Sequence, residues 1–233
     1  INISRLALQA NPSTQGQFFV NLPSNAAPIP AVDLPSANAV TASFTGKTSL
    51  VAYDNLGNEV ILDVYSAKLA AETWEVTVFD RAAEAAGGGF PYTAGPLAMI
   101  TLTFDPTTGR LDALSPQSIA VPVPNGAALT LDLSQTSQVA ADYTVIDADV
   151  NGNAPSDVES IEISDTGELY AVYRNGTRIA THRIPLAGVT SPDNLQPLPG
   201  NAYLATADSG DVRIGFAGSG GFGRLVSGAV EQS

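Results

Sequence analysis

The sequence has no cysteine, one histidine and only 10 lysine and arginine residues among 233. Without cysteine the chain can form neither a disulfide nor a thiolate metal site, and the single imidazole of His182 excludes a multi-histidine zinc site. The net charge of −13 argues against nucleic acid or an anionic membrane surface as a partner, because both require clustered cations. No apolar run approaches the ~18 residues of a membrane-spanning helix.

The N-terminus lacks two further features. The first residues do not show the charged region and apolar stretch of a Sec signal peptide. The chain also does not begin with Met, so we expect it to be a fragment.

The composition is that of a folded chain rich in turns. Hydrophobic residues make up 44% and charged residues 14%, whereas a disordered acidic segment has far fewer apolar residues. The 21 glycines and 16 prolines are spread along the sequence, which is typical of short strands joined by turns. The composition predicts one large all-β domain or two smaller ones.

A two-residue hydrophobic period dominates the first two thirds of the chain. Trp74, Val76 and Val78, for example, alternate with polar residues, so we expect these three to point inward. Residues 54–58 and 105–109 are predicted turns, residues 23–35 an irregular surface connection, and residues 82–89 a loop with one helical turn at most. The predicted strands are a weak one at 6–8 and stronger ones at 17–22, 48–53, 59–65, 73–79, 100–104 and 129–133.

The pattern changes at Asp147–Asp157, which is polar, contains glycine and proline, and is interpreted as a linker or a crossing between domains. Strands are predicted again at 160–163, 168–173 and 178–184, with a hairpin turn at Asn175 and Gly176. We therefore expect an all-β chain without long helices, consisting of two β domains at residues 1–157 and 158–233. The first is predicted to be a barrel or a sandwich.

The densest glycine cluster matches a dinucleotide-binding fingerprint at Gly218, Gly220 and Gly223. That fingerprint needs a helix after its last glycine and an acidic residue about twenty positions on. Only ten residues follow Gly223, and they include another glycine. We therefore interpret the cluster as a structural loop and predict no cofactor.

Asp147, Asp149 and Asn151 resemble the start of a calcium-binding loop. Such a loop ends in a bidentate glutamate at its twelfth position, which here is Val158, with Glu159 one place late. Two interpretations remain, a weak calcium site and a solvated linker.

Asp208, Ser209 and Gly210 resemble part of a serine-protease nucleophile loop, for which His182 would be the base. A lone histidine in a strand pattern is more often a packing or surface residue. We expect no catalytic site.

Several blocks of sequence, taken in order, resemble the bacterial flagellar rod and hook axial proteins. Residues 201–210 and 223–233 are the most specific and are shared across these axial proteins. Residues 53–57 point to the hook proteins among them. The blocks that carry the resemblance are 49–58, 64–65, 74–77, 102–111, 163–169, 173–176, 184–187, 194–198, 201–210 and 223–233.

The resemblance implies a structural subunit that polymerises into a flexible helical tube, the joint between flagellar motor and filament. Residues 1–157 would be the outer β domain and residues 158–233 the C-terminal half of an inner β domain. Since the other half and the terminal helices are missing, we expect residues 158–233 to be incompletely packed.

The resemblance also implies partners and a location. The partners would be further copies of the chain and the rod, hook-cap and hook–filament junction proteins, and the location would be extracellular after type III export. The alternative is a secreted β-sandwich binding module of the adhesin or carbohydrate-binding type, whose signature would be exposed aromatic residues.

Overall fold

The structure, a computed structural model, describes residues 8–227 and divides into two compact units. The first unit is Gln9–Pro155, and the second comprises Leu8 and the described residues from Ser156 onward. Strands and turns make up both units, which confirms the all-β prediction. No helix in the described part of the chain is long and apolar enough to cross a membrane. Most of the predicted strand at 6–8 and the end of the 223–233 block lie outside the described residues.

The first unit contains eleven strands, and its stronger predicted strands are all present with small changes of boundary. The strands are β1 (Gln9–Asn11), β2 (Gln15–Pro23), β3 (Gly46–Tyr53), β4 (Glu59–Ala70), β5 (Thr73–Asp80), β6 (Ala98–Thr103), β7 (Ser118–Pro122), β8 (Ala128–Asp132), β9 (Ser137–Val139), β10 (Thr144–Val150) and β11 (Asn153–Ser156).

Two sheets form the body of the first unit. One is an antiparallel meander in the order β3-β4-β5-β6, and the other has the order β10-β2-β8-β7, with β9 beside β2. β2 runs parallel to β8 and β9 and antiparallel to β10. A separate two-stranded ribbon joins β1 to β11.

The two sheets share one hydrophobic core, so the unit is an open sandwich. The two-residue period explains the core, because alternate residues of each strand point into it. Trp74 is fully buried there, as predicted. The buried members are Phe18, Val20, Leu22, Leu50, Ala52, Leu62, Val64, Trp74, Val76, Val78, Leu102, Phe104, Ile119, Val121, Val123, Leu129, Leu131 and Leu133.

The boundary between the two units, after Pro155, falls within Asp147–Asp157, but most of this stretch is strand and not linker. Asp147 and Asp149 lie in β10, and the ribbon strand β11 follows. Ala148 and Val150 pack against the core while the two aspartates alternate with them on the outer face. β10 is an edge strand, where charged outward side chains are common, and this charge masked the strand pattern. β7 was also missed, because prolines at its end and on both flanks suppressed a pattern that an edge strand tolerates.

The second unit is built of smaller sheets. A three-stranded sheet joins β12 (Val158–Ile163), β13 (Glu168–Tyr173) and β14 (Arg178–Arg183). Gly176 forms the predicted turn between β13 and β14 with a φ of 82°, a conformation that glycine adopts readily. β15 (Pro185–Gly188) pairs with β18 (Arg213–Phe216), and β16 (Gln196–Leu198) pairs with β17 (Ala202–Leu204).

The described part of the second unit buries few apolar side chains. Its buried hydrophobic residues are Leu169, Ala171, Tyr173 and Ala217. Large apolar side chains, by contrast, remain exposed on the paired strands β15–β18 and β16–β17 and near them. They are Leu198, Tyr203, Leu204, Val212, Ile214, Phe216 and Val226.

One buried polar pair connects the two sheets of the first unit. The indole Nε1 of Trp74 donates to Oε1 of Gln138 at 2.6 Å. We expect Gln138→Leu to lower the free energy of unfolding by about 1–3 kcal/mol, because the buried N–H loses its acceptor. Urea unfolding would measure the loss. Gln117→Leu, an exposed control, should change stability by less than about 0.5 kcal/mol. Equal effects of both variants would contradict this role for the pair.

Candidate functional site

A buried carboxylate organises the face of the four-stranded sheet that points away from the core. Asp63 lies on β4 between two core residues, and its side chain is 0% exposed. Ser49 Oγ donates to Oδ1 at 2.7 Å, and Tyr92 OH donates to Oδ2 at 2.8 Å. Lys47 Nζ lies 2.9 Å from Oδ2, and the Arg81 guanidinium binds both oxygens. The charge of Asp63 is therefore paired with two cations.

The surroundings of Asp63 shift two pKa values. Burial on its own would raise the pKa of Asp63, but the hydrogen bonds from its partners, Arg81 first, outweigh burial and lower the pKa to about 2. Burial raises the pKa of the Tyr92 phenol, and its hydrogen bonds with Tyr65 and Asp63 raise it further. Tyr92 consequently stays protonated and remains a donor to Asp63.

Aromatic side chains surround this buried charge. Tyr65, Phe79 and Tyr92 form a second buried cluster, with the half-buried Phe90 against it. The rings of Phe79 and Tyr92 stack with centroids 4.4 Å apart, and Phe44 meets Tyr65 at 4.9 Å. Such pairs contribute about 0.5–1.5 kcal/mol each beyond their area burial. The cluster thus fixes the 81–97 connection, which carries Phe90 and Tyr92, onto the sheet.

A second buried carboxylate fixes another connection, residues 27–44, which we call the strap. Glu75 on β5 accepts from the backbone N–H of Ser36 at 3.1 Å and from its hydroxyl at 2.7 Å. The Asn38 amide joins the strap to the 81–97 connection, because it donates to Tyr92 O at 2.8 Å and accepts from Tyr92 N at 2.7 Å. The sequence predicted an irregular surface connection at 23–35, and the structure adds that its buried residues Leu34 and Pro35 cover the sheet.

Asn151, one of the three residues that resemble the start of a calcium loop, binds the start of β2 in a contact that we call the lock. Asn151 Oδ1 accepts from the backbone N–H groups of Thr14 and Gln15 at 2.8 and 2.9 Å, and its Nδ2 donates to Thr14 Oγ1 at 3.1 Å. The buried Ser13 donates to the Asn151 carbonyl and accepts from Tyr53 N at 2.9 Å. Asn151 therefore holds the start of β2 beside the end of β10.

Of the two aspartates in the same sequence pattern, Asp149 lines a groove together with Asn151, and Asp147 is not among the residues that line it. Both lie on the outer face of β10, and Asp147 Oδ2 accepts from Gln17 Nε2 at 2.6 Å. Among residues 8–227, no group of three or more His, Cys, Asp or Glu side chains is placed to hold a metal ion.

The glycine cluster forms turns. Gly218 and Gly220 have φ values of 75° and 61°, and Gly218 N donates to Gly223 O at 2.9 Å. No helix follows Gly223 within the described residues. The cluster lacks the helix N-terminus that binds a dinucleotide pyrophosphate.

Ser209 is buried within its own turn, where its hydroxyl donates to Thr206 O at 2.9 Å and accepts from Thr206 N at 2.9 Å. His182 is an exposed residue of β14. The structure does not bring these two residues together as a nucleophile and base.

In one groove on the first unit, two charged side chains are committed to contacts within the fold. This groove of about 420 Å³ is lined by Lys68, Gln138 and the turn at 105–109. The Asp105 carboxylate there accepts from the backbone N–H groups of Thr107 and Thr108, so it is committed to the turn. Lys68 donates to the carbonyl of Ser24.

The fold and these sites define the class as an all-β protein whose buried polar groups fix connections and turns. A sequence model described as the flagellar basal body protein FlaE D2 domain matches residues 21–153, more than half of the chain. The chain belongs to this flagellar family.

Named relatives match the entire chain. The flagellar hook protein FlgE of Brucella abortus biovar 1 is 38% identical over 233 residues, which cover 100% of this chain and 54% of the relative. FlgE of Rhizobium meliloti is 37% identical over 241 residues, with the same coverage. FlgE of Salmonella typhimurium is 30% identical over 237 residues, which cover 100% of this chain and 57% of the relative. The chain thus spans about half the length of these relatives.

A solved structure, the Helicobacter pylori flagellar hook protein FlgE2, is also similar. Its TM-score is 0.43 at 18% identity, and the match covers 72% of this chain and 38% of that chain.

We expect Asp63→Asn to lower the free energy of unfolding at neutral pH by about 2–3 kcal/mol, because it leaves two cations beside a neutral group. The folded-state pKa lies below the unfolded one, so the charge of Asp63 stabilises the fold above about pH 4. About 2 kcal/mol of this is lost as the pH falls towards 2. Thermal unfolding of wild type and Asp63→Asn from pH 7 to pH 2 measures how the stability difference between them changes with pH.

The control for this variant is Asp149→Asn on the exposed face of β10, which should change stability by less than about 0.5 kcal/mol. If wild type and Asp63→Asn lose stability in parallel over the acid range, the role assigned to Asp63 is wrong.

For the lock, we expect Asn151→Ala to lower the free energy of unfolding by about 1–3 kcal/mol, because three side-chain hydrogen bonds are lost. Chemical denaturation would measure the change, with Asn55→Ala on an exposed turn as the control. Calcium should leave the denaturation midpoints of wild type and Asn151→Ala unchanged, because two backbone N–H groups already bind the Asn151 side-chain oxygen. A calcium-dependent rise in wild type alone would instead support a metal site.

Proposed function

We propose that this chain is a structural part of a flagellar hook subunit, which polymerises into a flexible helical tube and transmits torque from the basal body to the filament. The observation that carries the proposal is the match of the full chain to hook proteins, at 38% identity in the Brucella abortus relative. The FlaE D2 match over residues 21–153 supports it independently.

Within such a subunit, residues 1–157 would form the outer β domain and residues 158–233 the C-terminal half of an inner β domain. The large sandwich core of the first unit supports a domain that folds by itself. The exposed apolar side chains near β15–β18 support a second unit that another segment of the subunit completes. Its partners would be further copies of the subunit and the rod, hook-cap and hook–filament junction proteins outside the cell.

The proposal includes no catalysis and no cofactor. The groups that sequence patterns offered for chemistry, Ser209 with His182 and the glycine cluster, serve as turn and strand residues. The rival binding module is not favoured, because the single tryptophan is fully buried and the relatives that match the full chain are named as hook proteins.

We expect the isolated chain to be monomeric and the complete subunit to polymerise into hollow tubes. The two should differ because the chain spans only 54% of the Brucella abortus relative, and the resemblance to axial proteins implies that the tube-forming helices are in the rest of the subunit. Sedimentation velocity of the chain and cryo-electron microscopy of the polymerised subunit measure the two outcomes. A tight closed oligomer of the chain, or a complete subunit that forms no tube, would count against the proposal.

A further inference from the structure

Charge is distributed very unevenly over the first unit. Its sequence contains fourteen acidic and four basic residues, a net charge of −10. Lys47 and Arg81 are committed to Asp63, and Lys68 is buried. Two copies that meet through most of this surface therefore repel each other.

Two stretches of the unit are almost free of charge. Between Arg5 and Lys47 the only charged residue is Asp33, which accepts from the Thr41 hydroxyl at 2.6 Å. No charged residue lies between Asp112 and Asp132. The strap belongs to the first stretch, and β7 and β8 belong to the second.

The strap presents apolar side chains to solvent. Val32, Val40 and Phe44 are 72%, 80% and 43% exposed. The backbone N–H of Ser43 donates to Asp33 O at 2.8 Å, which brings the two arms of the strap together. Glu75 and Asn38 hold the strap from beneath through four hydrogen bonds.

The second neutral surface is the outer face of β7 and β8. Ile119, Val121, Leu129 and Leu131 point into the core, so the residues that alternate with them point outward. Five of these outward residues are small, uncharged and exposed: Ser118, Ala120, Pro122, Ala128 and Thr130. The sixth, Asp132 at the end of β8, is exposed and lies opposite Ser118, and its carboxylate accepts from the backbone N–H of Ser134 at 2.8 Å.

The two neutral surfaces lie on opposite sides of the sandwich. The strap covers the outer face of the four-stranded sheet, whereas β7 and β8 belong to the other sheet. A contact between unlike, opposed surfaces can repeat from copy to copy without closing, which is the requirement for a helical assembly.

We propose that the strap of one copy docks against the outer face of β7 and β8 of the next copy. The inference rests on the proposed function, because it assigns the contact between the outer domains of neighbouring subunits. A second copy is the occupant that the charges favour, since each neutral surface lets two acidic units approach without like-charge repulsion. Small side chains and prolines offer few hydrogen bonds, so neighbouring units can slide past each other.

Cysteine cross-linking tests the proposal, because this chain contains no cysteine. The complete subunit is prepared with Val40→Cys and Ala120→Cys together, polymerised, and treated with a short flexible bismaleimide. We expect a ladder of cross-linked multimers on a denaturing gel. Each single variant should give no ladder, because one cysteine in each copy can link two copies at most.

The control pair combines Val40→Cys with Leu114→Cys. Leu114 is 95% exposed but lies on a turn outside both neutral surfaces. We expect no ladder from this pair. If tubes form normally and the Val40–Ala120 pair gives no ladder, the docking proposal is wrong and the proposed function stands. If the wild-type subunit forms no tubes, the proposed function itself fails.

A charge variant gives a second readout. We expect Val40→Asp to raise the critical concentration for polymerisation by about tenfold, because an unpaired carboxylate would be buried in the contact. Leu114→Asp, the same change at an exposed leucine elsewhere, should leave it unchanged. The melting temperature of the isolated chain checks that both variants fold. Equal critical concentrations for the two folded variants would overturn the proposal.

Discussion

The pairing of Asp63 with Lys47 and Arg81 is the constraint on which the outer face of the four-stranded sheet depends. Burying a carboxylate costs free energy unless other groups pair with its charge. The two oxygens of Asp63 receive hydrogen bonds from four side chains. One partner, Tyr92, belongs to the 81–97 connection, and Asn38 links that connection to the strap. The buried charge thereby fixes backbone that has few regular hydrogen bonds of its own.

The alternating pattern predicted the main strands because half of each strand faces one continuous core. The same pattern could not reveal that the opposite face of β4 and β5 is buried as well. Glu75 and Thr77 have the polarity of solvent-facing residues, yet both are buried. Their burial depends on connections distant in sequence, and a two-residue period contains no information about what covers a sheet.

The structural context of a sequence motif is not contained in the motif itself. Asn151 fits the third position of a calcium loop, but its amide equally suits two backbone N–H groups at the start of β2. The contact with the backbone depends on the pairing of β10 with β2, which joins residues more than a hundred positions apart. The glycine spacing at 218–223 likewise corresponds to turns with positive φ angles. Such turns bind phosphate only where a helix begins directly after them.

The proposed joint, which bends while it turns, would need contacts that bind their partners weakly and that already have their docked conformation. A rigid strap satisfies the second condition, because a surface already fixed by Glu75 and Asn38 loses little conformational entropy when it docks. The acidity of the remaining surface satisfies the first, since repulsion opposes any broader approach of neighbouring units. The unit buries three acidic residues, Asp63, Glu75 and Asp54. Each of them fixes a connection or a turn, and only at these points is acidic charge removed from the surface. The same residue type therefore fixes the shape of the unit from inside and limits its contacts from outside.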